Sequence, residues 1–225
     1  MENSPIYFYD KNEFSYRKLL EDNTEIILNE LLNVADIKAE TNTFSDTWIA
    51  AHPTYVSGQF NVSWKTYEFL FFGIKKLKNI EKCPKTFEII QQIPEIITAQ
   101  FSILLPHTHV NAHKGYSTII LRNHLPLIVP AGNECGLRVE NETHRWKKGE
   151  LVIFDDSFEH EAWNNSNELR AVLMFDVAKP NCGYNAKEIC RYKIERVDDP
   201  FLLNIAPKET WMKWHNQGHF NEDLK

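Results

Sequence analysis

The sequence predicts a mainly β protein, a double-sheet jelly roll with helices packed outside it, from three observations. After Pro94 the chain turns into short β-type runs separated by turns carrying Gly, Asn, Asp and Pro. The number and spacing of those runs suit two facing sheets closed into a roll. Before Pro94, residues 13–34 and 84–93 read as helices instead.

Taken in order, residues 13–34 read as a helix, with Leu19, Leu20, Ile26, Ile27 and Leu31 forming an imperfect apolar face. Residues 35–62 are polar and loop-rich and carry no assignable element. A short helix is expected over 84–93, with Pro84 in its first turn and Pro94 ending it. The strand candidates are 99–105, 118–129, 136–139, 150–154 and 171–177. From Pro180 onward the texture is mixed, and Trp211 and Trp214 either pack across the roll or close over its mouth. A chain of 225 residues fits one domain. We expect residues 1–95 to be mostly helical, 96–180 to form the roll, and 181–225 to extend it.

Composition narrows the function classes. The net charge is −6, with 31 acidic against 25 basic residues and no dense basic run, which argues against a nucleic-acid partner. The longest apolar stretches, near 69–74 and 125–129, are too short to span a bilayer. No cationic segment followed by an apolar core marks the N-terminus as a secretion signal. Cys83, Cys135, Cys182 and Cys190 are spread without a Cys-x-x-Cys pair, as suits reduced thiols. The expectation is a mildly acidic cytoplasmic protein with a small-molecule substrate and no transmembrane segment.

The chemistry concentrates between Ser102 and Pro180. His113 begins His113-Lys114-Gly115, and His160 lies in Phe154-Asp155-Asp156-Ser157-Phe158-Glu159-His160-Glu161-Ala162-Trp163. Arg122 and Arg170 each interrupt an apolar, β-rich segment. A buried cation needs an anion, and two metal-competent imidazoles need a metal, so the set asks for a metal ion and a small dicarboxylate. Asp155 and Asp156 fit a turn or capping role better than a ligand role. The arginines also have acidic candidates nearby, in Asp155, Glu159 and Glu161. His107-Thr108-His109 is a rival metal pair, with the His-x-His spacing that cupin metal sites use.

In their order, His113, Arg122-Asn123-His124 and the decapeptide around His160 resemble the aspartyl/asparaginyl β-hydroxylases, within the Fe(II)- and 2-oxoglutarate-dependent dioxygenases. The resemblance covers roughly residues 64–180. It implies a double-stranded β-helix fold and hydroxylation of a C–H bond using Fe(II), 2-oxoglutarate and O2, with release of succinate and CO2. By that resemblance His113 and His160 are the iron ligands. Most such enzymes add a carboxylate two residues after the first histidine; here Gly115 stands there, as in a two-histidine subset of the family. Arg170 takes the distal carboxylate of 2-oxoglutarate, with Trp64, Ser102, Arg122 and His124 as further cosubstrate contacts. Peptide-hydroxylating members carry a second arginine two residues before the cosubstrate arginine, and this chain has Ile120. The expected substrate is therefore an amino-acid-like or acyl small molecule, free or carrier-linked, with peptidyl Asp/Asn hydroxylation as the alternative. A cupin-type metal enzyme and a non-catalytic jelly-roll binding protein remain open from other classes.

Overall fold

The computed structural model describes residues 5–35, 49–50, 56–57 and 63–220. A 3-10 turn at Lys11–Glu13 precedes α1 (Arg17–Asp22) and α2 (Thr24–Val34). Next come β1 (Ile49–Ala50), β2 (Val56–Ser57), β3 (Trp64–Phe71), β4 (Ile74–Lys75), α3 (Leu77–Lys82) and α4 (Pro84–Ile90). The roll continues through β5 (Ile96–Leu104), β6 (Thr108–His113), β7 (Ile120–Ile128), β8 (Cys135–Val139) and β9 (Glu142–His144). It ends with β10 (Val152–Phe154), β11 (His160–Asn164) and β12 (Arg170–Ala178), and α5 (Ala186–Glu195), α6 (Pro200–Ile205) and α7 (Lys208–Gln217) follow. Most of the expected loop at 35–62 lies outside the described residues.

The larger sheet runs β1-β3-β5-β12-β7-β10, with β4 paired to β3, and the smaller runs β2-β6-β11-β8-β9. Every pairing is antiparallel. This is the expected jelly roll with N-terminal helices outside. The space between the sheets is filled by Leu104, Val152 and Phe154 from one side and Val110, Leu137, Val139 and Ala162 from the other. The opposite face of the larger sheet carries Phe101, Leu125, Leu173 and Phe175, which α1, α2 and α4 cover with Leu20, Ile27, Leu31, Phe87 and Ile90. Burying each such side chain contributes about 1.5–3 kcal/mol.

β12 explains why the site is where it is. It is the central strand between β5 and β7 and is buried along its whole length. Because successive side chains alternate between faces, Ala171, Leu173, Phe175 and Val177 meet the helices. Arg170, Val172, Met174 and Asp176 are left facing the interior of the roll. The same alternation turns Arg122 and His124 of β7, Ser102 of β5 and Trp64 of β3 inward.

Two local differences from expectation have plain causes. The helix expected over 13–34 starts late and breaks at Asn23, because Asn23 Nδ2 donates to the Leu19 carbonyl and Thr24 Oγ1 to the Glu21 carbonyl. Beyond Pro180 the chain forms α5, α6 and α7. Trp211 and Trp214 pack with Phe72, Ile74, Ile97, Ile120 and Ala178 at one end of the larger sheet, rather than over the mouth.

Candidate metal and cosubstrate site

His113 closes β6, His160 opens β11, and the two are direct cross-strand partners. Their ring centroids are 4.2 Å apart. Nδ1 of His113 lies 2.7 Å from the Asn111 carbonyl, and Nδ1 of His160 lies 3.0 Å from the Phe158 carbonyl. A carbonyl can only accept, so each Nδ1 carries the proton and each lone pair is on Nε2. Metal-ligating imidazoles are oriented in the same way. Burial, aided by the charge of Arg122 and by His113, pushes His160 down to about 3. Burial also lowers His113 against the pull of the Asn111 carbonyl. Both rings are neutral near pH 7, the form that binds a metal.

Gly115 gives its amide to the Asp156 carbonyl at 2.6 Å, and a Cβ added to it would fall inside the Asp156 carboxylate. The room that a side chain at 115 would need is filled by Asp156, which is completely buried. Burial raises the Asp156 pKa against the pull of Arg122, with Asp176 adding to the rise. Among the described residues no three His, Cys, Asp or Glu side chains converge as a metal cluster, so the donor set is two imidazoles. Asp155 does the turn work: its Oδ1 accepts from Ser157 N at 3.1 Å and from Ser157 Oγ at 2.6 Å, while Lys179 pairs with its other oxygen.

Arg170 sits on the same interior. It is 2% exposed and makes no ion pair among the described residues; its Nε has no partner there, and NH1 reaches only the Ser102 carbonyl at 3.5 Å. Its guanidinium lies 4.4 Å from the centre of the Trp146 ring. Desolvation lowers its pKa to about 9, so it remains a cation at neutral pH. Ser102 Oγ accepts from Trp64 Nε1 at 2.9 Å, which joins three of the expected cosubstrate residues in one line of contacts. His124 stands between Trp146 and Phe154, at 5.9 and 5.2 Å. Both its nitrogens are buried without a partner among the described residues, and burial with the charge of Arg170 keeps it neutral.

Arg122 contrasts with these. Its Nε and NH2 donate to Asp176 at 2.9 and 3.0 Å, and NH1 lies 3.1 Å from Asp156. Burial opposes its charge, but the two carboxylates outweigh that and hold its pKa above the ordinary arginine value. Its partners are thus Asp156 and Asp176, not Asp155, Glu159 or Glu161. The rival histidines lie elsewhere: His107 contacts Asn167 at 3.0 Å, and His109 contacts Glu161 at 2.9 Å and lies near Trp163. Ile120 is fully buried against the C-terminal helices.

The site also contains residues that sequence reading missed. Trp146 lies in a charged segment, Arg145 to Lys148, with no pattern to mark it. Asp176 had a visible signal, a lone carboxylate inside the apolar run 171–177. Tyr116, whose hydroxyl donates to Asp176 at 3.0 Å, had none.

An unpaired guanidinium, an imidazole with both nitrogens unused and two neutral imidazoles with lone pairs on Nε2 suit a divalent metal and a carboxylate-bearing ligand. A buried polar group without a partner costs about 1–3 kcal/mol, which such a ligand would recover. Among the described residues no helix is long and apolar enough to cross a membrane.

The chain is 40% identical over 179 residues to an ornithine lipid ester-linked acyl 2-hydroxylase of Rhizobium tropici, covering 79% of this chain and 62% of the relative. It is 34% identical over 122 residues to a human aspartyl/asparaginyl beta-hydroxylase, covering 52% of this chain but 16% of that protein. The chain thus spans less than two thirds of either relative. Among solved structures, a Pseudomonas putida prolyl-4-hydroxylase superposes with a TM-score of 0.48 at 12% identity, covering 73% of this chain and 98% of that one. The aspartyl/asparaginyl beta-hydroxylase family model matches residues 21–180, the stretch that supplies every residue of the site, and the chain belongs to that family.

Proposed function

We infer that this protein is an Fe(II)- and 2-oxoglutarate-dependent hydroxylase of an acyl chain, most simply one carried on an amino-acid-like headgroup. The observation that carries the reading is Arg170: a buried cation without an anion, on the same interior as two imidazoles poised to bind a metal. The acyl substrate is favoured by the Rhizobium relative's own activity and by Ile120, which offers no cation to a substrate carboxylate.

Iron bound with 2-oxoglutarate would supply the oxidising chemistry: one oxygen atom of O2 enters a C–H bond, and 2-oxoglutarate leaves as succinate and CO2. The chain does the rest. His113 and His160 offer Nε2, with their ring planes fixed by the carbonyls of Asn111 and Phe158. Arg170 takes the distal carboxylate in the forked geometry that a guanidinium matches, each charge-assisted bond contributing about 1.5–3 kcal/mol. Trp146 backs that guanidinium, and Trp64 orients the Ser102 hydroxyl beside it. Arg122 and His124 complete the wall between Arg170 and the histidines. Phe154 and Trp146 exclude water, so that neutral His124 can donate a proton in a hydrogen bond without competition.

Succinate formation from 2-oxoglutarate with Fe(II) and ascorbate tests the reading. Wild type should release succinate and bind about one equivalent of iron, while His113→Ala and His160→Ala should lose both. If His107→Ala lost iron and His113→Ala kept it, the metal assignment would be overturned. A search by mass for acyl products heavier by one oxygen identifies the substrate.

A further inference from the structure

The geometry points to Asp176 as the residue that keeps carboxylate-bearing substrates from the reacting centre, so that the group presented beside His113 and His160 is an uncharged C–H segment. This rests on the hydroxylase reading above and narrows its substrate.

Asp176 and Arg122 are register partners on neighbouring strands. The carboxylate accepts from Arg122 Nε at 2.9 Å, Arg122 NH2 at 3.0 Å, Thr98 Oγ1 at 3.0 Å and Tyr116 Oη at 3.0 Å. Four donors from three side chains, on β7, on β5 and just past the β6 metal histidine, fix it in place. It therefore occupies the side-on edge of Arg122, one of the two edges at which a guanidinium can grip a carboxylate in two parallel bonds. The other side of Arg122 faces Asp156, whose carboxylate covers Gly115. One guanidinium thus serves two aspartates beside the histidines.

Arg170 aside, which the cosubstrate takes in the reading above, the nearby cations among the described residues are committed. Lys193 donates to the Tyr116 carbonyl at 2.6 Å, and Lys179 is paired with Asp155. The next inward position along β7, Ile120, is sealed under α5 and α7. A substrate carboxylate entering here would lose its water, find its forked partner taken and face like charge. A carboxylate bound to a metal ion escapes this penalty, because the ion is its counter-charge. An acyl C–H segment incurs none of it.

The test uses the full chain loaded with 2-oxoglutarate and a redox-inert divalent ion, titrated calorimetrically with N-acetyl-aspartyl amide and with its neutral asparaginyl counterpart. Wild type should show no measurable affinity for the acidic probe and no preference for it over the neutral one. Asp176→Asn, which keeps the shape and frees the Arg122 fork, should bind the acidic probe at least about tenfold more tightly than wild type does. Asp176→Glu, which keeps the charge, should behave as wild type towards both probes, whereas a merely structural role for Asp176 would give no gain of acidic-probe affinity in Asp176→Asn. Acidic-probe binding by wild type with a Kd near or below about 1 mM overturns the proposal, and decides it even where the variants fail to fold. A folded Asp176→Asn protein that gains no affinity overturns it as well. Failure of wild type to bind 2-oxoglutarate would instead sink the hydroxylase reading, by a separate measurement in the same instrument.

Discussion

Arg122 and Arg170 stand on adjacent strands of one sheet, face the same interior and are both largely desolvated, yet their surroundings are opposite. Arg122 has two carboxylates against it and three charge-assisted contacts. Arg170 has an indole face, a distant carbonyl and no acid among the described residues. The folded chain is complete around the first guanidinium and incomplete around the second. A buried charge whose partner is built in is held by the fold; one without a partner among the described residues marks a candidate ligand site.

The sharpest way to break this contrast is Arg170→Met. Two forked bonds of about 1.5–3 kcal/mol each predict roughly 100-fold to 10,000-fold weaker 2-oxoglutarate binding. Unfolding stability should stay level or rise, because an unpaired buried charge is removed. Calorimetric titration and urea unfolding on the same preparation check both halves, and a Kd within threefold of wild type would refute the assignment.

Arg122→Met should do the reverse. It leaves Asp156 and Asp176 buried without their cation, at a cost of about 3–5 kcal/mol in the same unfolding assay. A loss under about 1 kcal/mol would mean that the pair is no more structural than an exposed one.

Ligand linkage gives a smaller and independent effect. At a concentration about 100 times its Kd, 2-oxoglutarate with a divalent ion should stabilise wild type by about 2.7 kcal/mol. The shift should vanish in Arg170→Met, and its persistence there would place the dicarboxylate elsewhere. Smaller again is Gly115→Ala, whose methyl group must displace Asp156, at about 1–3 kcal/mol. Adding Asp156→Gly should recover part of that loss, and strict additivity in the double-mutant cycle would show that the two positions do not touch.

Much of this was legible in the sequence, for reasons that differ by region. The runs that became β5, β7 and β12 are long and apolar enough to declare themselves, and Pro84 marked the start of α4, which ends at Ile90 rather than at Pro94. That His113 and His160 come together was legible from the family resemblance, and the structure pairs them across β6 and β11. The short strands β6, β9 and β11 were not read, since runs of three to six residues mixing His, Glu, Asn and Trp carry no clear period. β3 was missed for a related reason: Lys65 and Glu68 interrupt its alternation. Tyr116 was invisible as a site residue, and Asp176 showed only as a lone carboxylate in an apolar run, because their roles arise only when β7 and β12 pair and the loop after β6 folds back. What Arg122 and Arg170 do was equally unreadable from composition, since the same residue type in similar runs ends in opposite electrostatic settings.

β12 has one more consequence. A strand buried on both faces with a two-residue repeat could slide by one full period and still present grease to the helices and to the roll. Such a slide would carry Asp176 past Arg122, stranding a carboxylate and a guanidinium in the dry interior. The threading of the barrel is therefore policed by charge rather than by oil, and the aspartate that shapes the reaction chamber also tells the polypeptide when it has zipped up correctly.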